Sequence, residues 1–140
     1  MEILQQFAKV EASETFREWK VGFPQAFLSS MFVLIDGEQK EWQAMFYDPE
    51  SELSTAFLIS EAVTLLPPEP TFKEPQAQVH QVDLDQVKLD LAECLEICAT
   101  EQRQKYPTAV PKKIIAILQH LPVGLVYNVT YITAMFATLN

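Results

Sequence analysis

The chain reads as an α+β protein built from two helix–β-hairpin repeats, with the helices packed on one face of an antiparallel sheet. Three observations predict this. A pattern of helix, aromatic-Pro pair, strand, glycine turn and aromatic-led strand occurs twice, and internal self-similarity sets architecture before any motif does. The apolar periodicity switches between helical spacing and alternation at matching places in the two passes. Both hydrophobic helices and strands need a partner face, and two layers are the economical way to supply one. The first pass uses Phe23-Pro24, a strand over Ala26–Ile35, Gly37 and Trp42-Gln43-Ala44-Met45-Phe46-Tyr47. The second uses Tyr106-Pro107, a strand over Lys112–Gln119, Gly124 and Val126-Tyr127-Asn128-Val129-Thr130-Tyr131.

The first helix is expected over roughly Met1–Lys20. Ile3, Phe7 and Val10 form one apolar stripe, and Ala12, Phe16 and Trp19 form a second, displaced around the helix. Ser13 is placed to cap a separate second segment, with Glu14 in its first turn. Val21-Gly22-Phe23-Pro24 ends the helix, because proline cannot continue it. The next strand has apolar residues on both sides: Phe27, Met31, Val33 and Ile35 on one, Leu28, Phe32 and Leu34 on the other. Such a strand belongs in the centre of a sheet, covered twice. Asp36-Gly37 signals a hairpin. Trp42, Ala44 and Phe46 alternate with Gln43, Met45 and Tyr47, and Leu53, Thr55, Phe57 and Ile59 begin a third strand after the turn Asp48-Pro49-Glu50-Ser51.

Pro67, Pro68, Pro70 and Pro75 fall close together, so residues 67–82 read as a proline-rich connection between a first unit, 1–66, and a second, 83–140. A polyproline ligand is the functional alternative, but no Pro-x-x-Pro here is flanked by basic residues. Asp83 with Gln86 three residues on reads as the start of the second helix. Its stripe is Leu84, Val87, Leu91, Cys94, Leu95 and Cys98, and Glu101–Lys105 is its polar end. Ile114, Ile115, Ile117 and Leu118 form a strand. Val126–Asn140 is a long β-branched and aromatic run, expected as a terminal strand at a sheet edge.

Size and charge narrow the function. At 140 residues the two units together fit one compact domain, and 49% hydrophobic with 21% charged residues supports a real core. A formal charge of −9 argues against a sequence-independent grip on nucleic acid and against an anionic membrane surface. Residues 1–76 carry 13 acids against 5 bases, a balance of −8, while residues 77–140 carry 6 against 5, a balance of −1. A basic partner would therefore meet the first unit, unless the acids serve only solubility. The start Met1-Glu2-Ile3-Leu4-Gln5-Gln6 lacks a basic, apolar leader, and two cysteines make no disulfide framework. A reducing cytoplasmic location is the expectation.

No catalytic constellation is expected. Cys94 and Cys98 lie one helical turn apart, but zinc needs four ligands and only His80 and His120 remain, neither in a ligand-spaced pair. Small buried thiols packing on a sheet account for them. The chain has no Gly-rich phosphate loop, nucleophile elbow or His-Glu-x-x-His, and a turn explains each of its three glycines. Acid pairs at Glu38/Glu41, Asp48/Glu50/Glu52 and Asp83/Asp85 fall in turns or at a helix start, where backbone N–H groups favour carboxylates. The sequon Asn128-Val129-Thr130 sits inside a strand and is expected to place its polar residues opposite Tyr127, Val129 and Tyr131. No cofactor and no metal are expected.

Residues 83–140 resemble a PepSY-type domain: an Ala-containing helix (Leu91-Ala92), a break at Tyr106-Pro107, a strand over Ile114–Leu118 and the aromatic-x-Val element Tyr127-Asn128-Val129. Residues 13–60 resemble a more diverged copy, with Trp42–Tyr47 at the matching strand. The resemblance implies a PepSY- and cystatin-like two-layer module that inhibits, chaperones or senses, and it transfers no catalytic residue. The chain departs from the family in ending at Asn140, before the usual Asp-x-x-x-Gly-type hairpin.

Two functions follow as expectations. The first is a non-enzymatic protein acting through contacts with a protein partner or itself, including a homodimer through the free edge of the terminal strand. The second is a small apolar-ligand binder whose pocket lies between helix and sheet, lined by Trp19, Trp42, Phe46, Tyr127 and Tyr131. An enzyme would have to work through His80, His120 or Cys94.

Overall fold

The computed structural model describes residues 1–71 and 78–133, together with the backbone of 138 and 139. It is a mixed α+β fold. Helix α1 runs Glu2–Ala12 and α2 runs Glu14–Gly22. The break between them is built by one side chain. Ser13 adopts an extended conformation, its Oγ accepts from the Phe16 amide at 3.1 Å, and it donates to the Val10 carbonyl at 2.7 Å. One hydroxyl thereby satisfies orphan groups at both helix ends.

The strands are β1 (Phe27–Asp36), β2 (Gln39–Asp48), β3 (Leu53–Ile59), β4 (Val63–Leu65), β5 (Glu69–Pro70), β6 (Pro111–Leu121), β7 (Gly124–Thr133) and β8 (Thr138–Leu139). All described pairs are antiparallel, in the order β4-β3-β2-β1-β6-β7-β8, with β5 paired to β3. The β1–β2 and β6–β7 hairpins turn at Gly37 and Gly124, which carry positive φ angles of 63° and 122°. Apolar β1 and β6 lie side by side at the middle, as their sequences require. Pro70 sits in a two-residue strand against the outer side of β3, where a missing N–H is tolerated. The proline-rich connection is thus partly knitted into the sheet. It also returns to the core at Val82, whose amide donates to the Leu28 carbonyl.

The structure departs from the sequence expectation at two places. Asp83 does not start the second helix. Its carboxylate caps a short 3-10 turn at Leu84–Gln86, accepting from the Asp85 amide. Helix α3 begins at Leu91 and ends at Lys105, behind an extended link that the Tyr127 hydroxyl holds through the Leu89 carbonyl at 3.1 Å. Val82, Leu84 and Leu91 are all buried, so the link between the 3-10 turn and α3 stays against the core. Val126–Asn140 is likewise not one strand: β7 ends at Thr133, and β8 folds back to pair at Tyr131 and Ile132. Residues 134–137 and 140 of that run lie outside the described residues.

A single core joins the parts. Ile3 and Val10 of α1 and Leu91 and Cys94 of α3 share it with Met31, Val33, Ala44, Phe57, Ala116 and Leu118 of the sheet, and Phe7, Phe16 and Trp19 pack against it.

Candidate interaction surface

Strand registry divides the sheet's side chains between two faces. Met31 pairs with Ala44 and Leu118, Val33 with Trp42 and Ala116, and Ala44 with Phe57. These residues are buried and form the core face. One residue along, Phe32 pairs with Gln43 and Ile117, Leu34 with Glu41 and Ile115, Ile117 with Asn128, and Lys113 with Ile132. These alternate positions point away from the core, because side-chain direction in a strand has a period of two. A bulge between Leu28 and Ser30 brings Leu28 onto the core face as well, at 4% exposure.

The second face is apolar where an uncovered antiparallel sheet is normally polar. Phe32 and Leu34 of β1, Ile115 and Ile117 of β6, Val126 and Ile132 of β7 and Leu58 of β3 are half-buried, and Met45 is exposed. None of the three described helices contributes to this face. Near β3 the chain itself lies against it: the Leu66 amide donates to the Ala56 carbonyl, and the Ser54 and Thr71 hydroxyls are hydrogen-bonded. Gln43, Met45, Ala56, Pro67 and Pro70 line a shallow cleft of about 560 Å³ there. Among the described residues, charge on this face stands at Glu41 and the Asp36–Lys113 pair, 3.9 Å apart, at one end, and at Glu69 in the cleft by β3.

The five aromatic residues expected around a ligand are spread along the core face, with Phe46, Tyr127 and Tyr131 each lining a different cleft. Trp19 and Phe46 meet at 5.6 Å between ring centroids, inside a cluster that also contains Phe7, Phe16 and Phe57. Trp42 is 4% exposed, with its indole N–H unpartnered. Tyr127 faces the link into α3. Tyr131 lines a different space, a cleft of about 480 Å³ between α3 and the β6–β7 hairpin, walled by Leu91, Leu95, Ala99 and Ile114.

That cleft contains polar groups absent from the sequence expectation. Gln102, 8% exposed, occupies the inward stripe one turn after Cys98, and its side-chain amide donates weakly to the Tyr106 carbonyl at 3.4 Å. Its spacing from Cys94 and Cys98 was the available signal, masked by the polar run around it. The Tyr131 hydroxyl is buried without a partner. Burial, with Cys98 and Cys94 nearby, pushes its pKa up, while Arg103 partly offsets the shift. It therefore remains a hydroxyl donor at neutral pH. Burial also pushes the Cys94 thiol up to about 11, reinforced by Cys98, which opposes nucleophilic use.

The histidines, far apart in sequence, come together: the His80 and His120 rings lie 5.0 Å apart, and His120 Nδ1 is buried without a partner. No set of three or more metal-ligating side chains occurs among the described residues. At the core-face margin, Asp48 is 5% exposed and accepts from both the amide and the hydroxyl of Ser51. The Ser51 hydroxyl is the main cause holding its carboxyl below the usual value. Among the described residues, no helix is long and apolar enough to cross a membrane. Comparison with protein-family models, with curated proteins and with solved structures yielded no match.

Proposed function

We propose that this chain is a non-enzymatic cytoplasmic protein that works through protein contacts, in a regulatory, inhibitor-like or chaperone-like role, and that the apolar second face of the sheet makes those contacts. The observation that carries the reading is the row Phe32, Leu34, Ile115 and Ile117, apolar on the two central strands yet half-exposed. Contiguous exposed apolar surface of several hundred Å² marks an interaction site in a soluble protein. A two-layer arrangement of duplicated helix–hairpin units, in the manner of a PepSY-type module, fits this use. Helices α1, α2 and α3 share the core face, and β1–β2 and β6–β7 lie on either side of the central pairing. Such a scaffold leaves its second face for a partner.

The test is photo-crosslinking in cells. A benzophenone side chain at Phe32 or Ile117 should give a discrete protein adduct, while one at Glu101 on exposed α3 should not. Equal, diffuse labelling from all three positions would remove the reading.

A second reading is favoured by one observation, the unpartnered Tyr131 hydroxyl in the α3 cleft. That cleft falls within the volume range of small-molecule sites, about 300–1,000 Å³. It would suit a small apolar ligand with one polar end directed at Tyr131. A medium-chain monocarboxylate should then raise the melting temperature of the wild type but not of Leu95→Glu. No shift with any apolar ligand would eliminate this alternative.

A further inference from the structure

The central strands have the composition of strands covered on both faces, yet helices cover only one. On β1, Met31 and Val33 are each 1% exposed, while their neighbours Phe32 and Leu34 remain half-exposed. Resting on the protein-contact reading, we infer that the partner is a second copy of this chain, packed face to face so that the two sheets form a sandwich.

Charge is the first argument. Each copy carries −9, so two copies repel wherever their acidic surfaces meet. The area around Phe32, Leu34, Ile115 and Ile117 is the place where they can approach without that penalty. Its cross-strand neighbours Gln43, Asn128 and Thr130 are uncharged, and Glu41, Asp36 and Lys113 stand at one end. A two-fold axis lying across the strands sets that end over the opposite end of the other copy, at Ser30 and Gln119, rather than over its own acids.

Extent is the second argument. Four strands clear of the residue 66–71 segment, β2, β1, β6 and β7, at about 4.8 Å spacing and about seven residues long, span roughly 19 by 23 Å, or about 440 Å² in plan. Side-chain relief adds accessible area to this, which places the contact at the small end of specific interfaces, ~800 Å² per partner being standard. Position is the third. The β1–β6 pair carrying the four large apolar residues is the middle of the sheet, as a self-complementary interface with a central axis requires. Aligned sheets pack about 10 Å apart with interdigitating side chains, and alternation of large Phe32 and Ile117 with smaller Gln43 and Asn128 supplies the relief.

The experiment is sedimentation equilibrium on the full chain. A dimer should predominate at about 50 µM, where a micromolar association is already saturated. Raising salt should tighten it, because the like net charges are screened while apolar burial is not weakened. Ile117→Glu should weaken association by about 100-fold or more, since a two-fold interface buries the new carboxylate twice. Leu34→Thr, a change that keeps strand propensity, should weaken it by about 10-fold and covers the case in which Ile117→Glu fails to fold. A monomeric wild type, or a dimer unaffected by both substitutions, overturns the inference. A monomer whose Phe32 crosslinks to a different protein also overturns the second copy, yet leaves the protein-contact reading standing. A monomer with no adduct removes both.

Discussion

The two faces of this sheet both carry large apolar residues on the central strands β1 and β6, and these end in opposite circumstances. On the core face, Phe57, Met31 and Val33 are all at or below 1% exposure, covered by α1, α2 and α3. On the other, Phe32, Leu34, Ile115 and Ile117 are equally apolar and stand half-open. The difference teaches that sequence hydrophobicity measures how much cover a strand requires, not whether the chain's own helices supply it. What they leave uncovered is available for function.

The contrast is sharpest in a matched pair of substitutions. Phe57→Ala removes a fully buried ring that contacts Phe16, Trp19 and Phe46, and should cost about 3–5 kcal/mol in urea unfolding. Phe32→Ala in dilute protein should cost clearly less, about 1–2 kcal/mol, because the ring is only partly buried and leaves no closed cavity. Similar losses at the two positions would break the comparison.

At the margin of the core face, Asp48→Ala should cost about 1 kcal/mol by removing the acceptor of the Ser51 amide and hydroxyl, which are exposed enough to turn to water. The pH dependence has a definite sign. The folded-state pKa of Asp48 lies below the ordinary 3.8, so its contribution is present above that value and is lost as pH falls through the lower folded one. Wild type should therefore weaken below about pH 4 more steeply than Asp48→Asn, as thermal melts across pH 2–6 would measure. Ser13→Ala should cost about 1 kcal/mol, since one hydroxyl serves both helix ends over this face.

Tyr131→Phe is the smallest expected change, neutral or stabilising by up to about 1 kcal/mol, because the hydroxyl is buried without a partner. A clear loss of stability would mean that the oxygen is satisfied and that the α3 cleft has no unmet donor.

Much of this fold is legible in the residues. Ser13 announces the helix break, Asp36-Gly37 and Gly124 the two hairpins, and the two-sided apolarity of Phe27–Ile35 its central place. The α+β class follows from these. The start of α3 does not, because Asp83 and Asp90 are both competent caps, and the apolar stripe from Leu84 through Leu91 fits a helix begun at either. The fold-back of β8 onto Tyr131 and Ile132 is invisible in a continuous β-branched run, since apolar composition favours strand without marking where the chain reverses. For the candidate site, apolarity on both sides of β1 was readable, but which side the helices would leave open depended on registry across four strands. Gln102 continues the Cys94–Cys98 spacing but is masked by the polar run around it, and the His80–His120 approach is a tertiary fact with no local signature.

The most direct measurement is thiol labelling of Phe32→Cys and Ile117→Cys in a Cys98→Ser background, with Met31→Cys as the core-face control. Rates are compared at about 0.1 µM and about 50 µM protein, on either side of a micromolar association constant. Uncovered side chains in the single chain should label fast when dilute and become about 2- to 5-fold slower when concentrated, the substitutions themselves weakening association, while Met31→Cys stays slow throughout. Slow labelling of Phe32→Cys and Ile117→Cys at both concentrations would mean that the face is already covered within one chain, and would contradict the account.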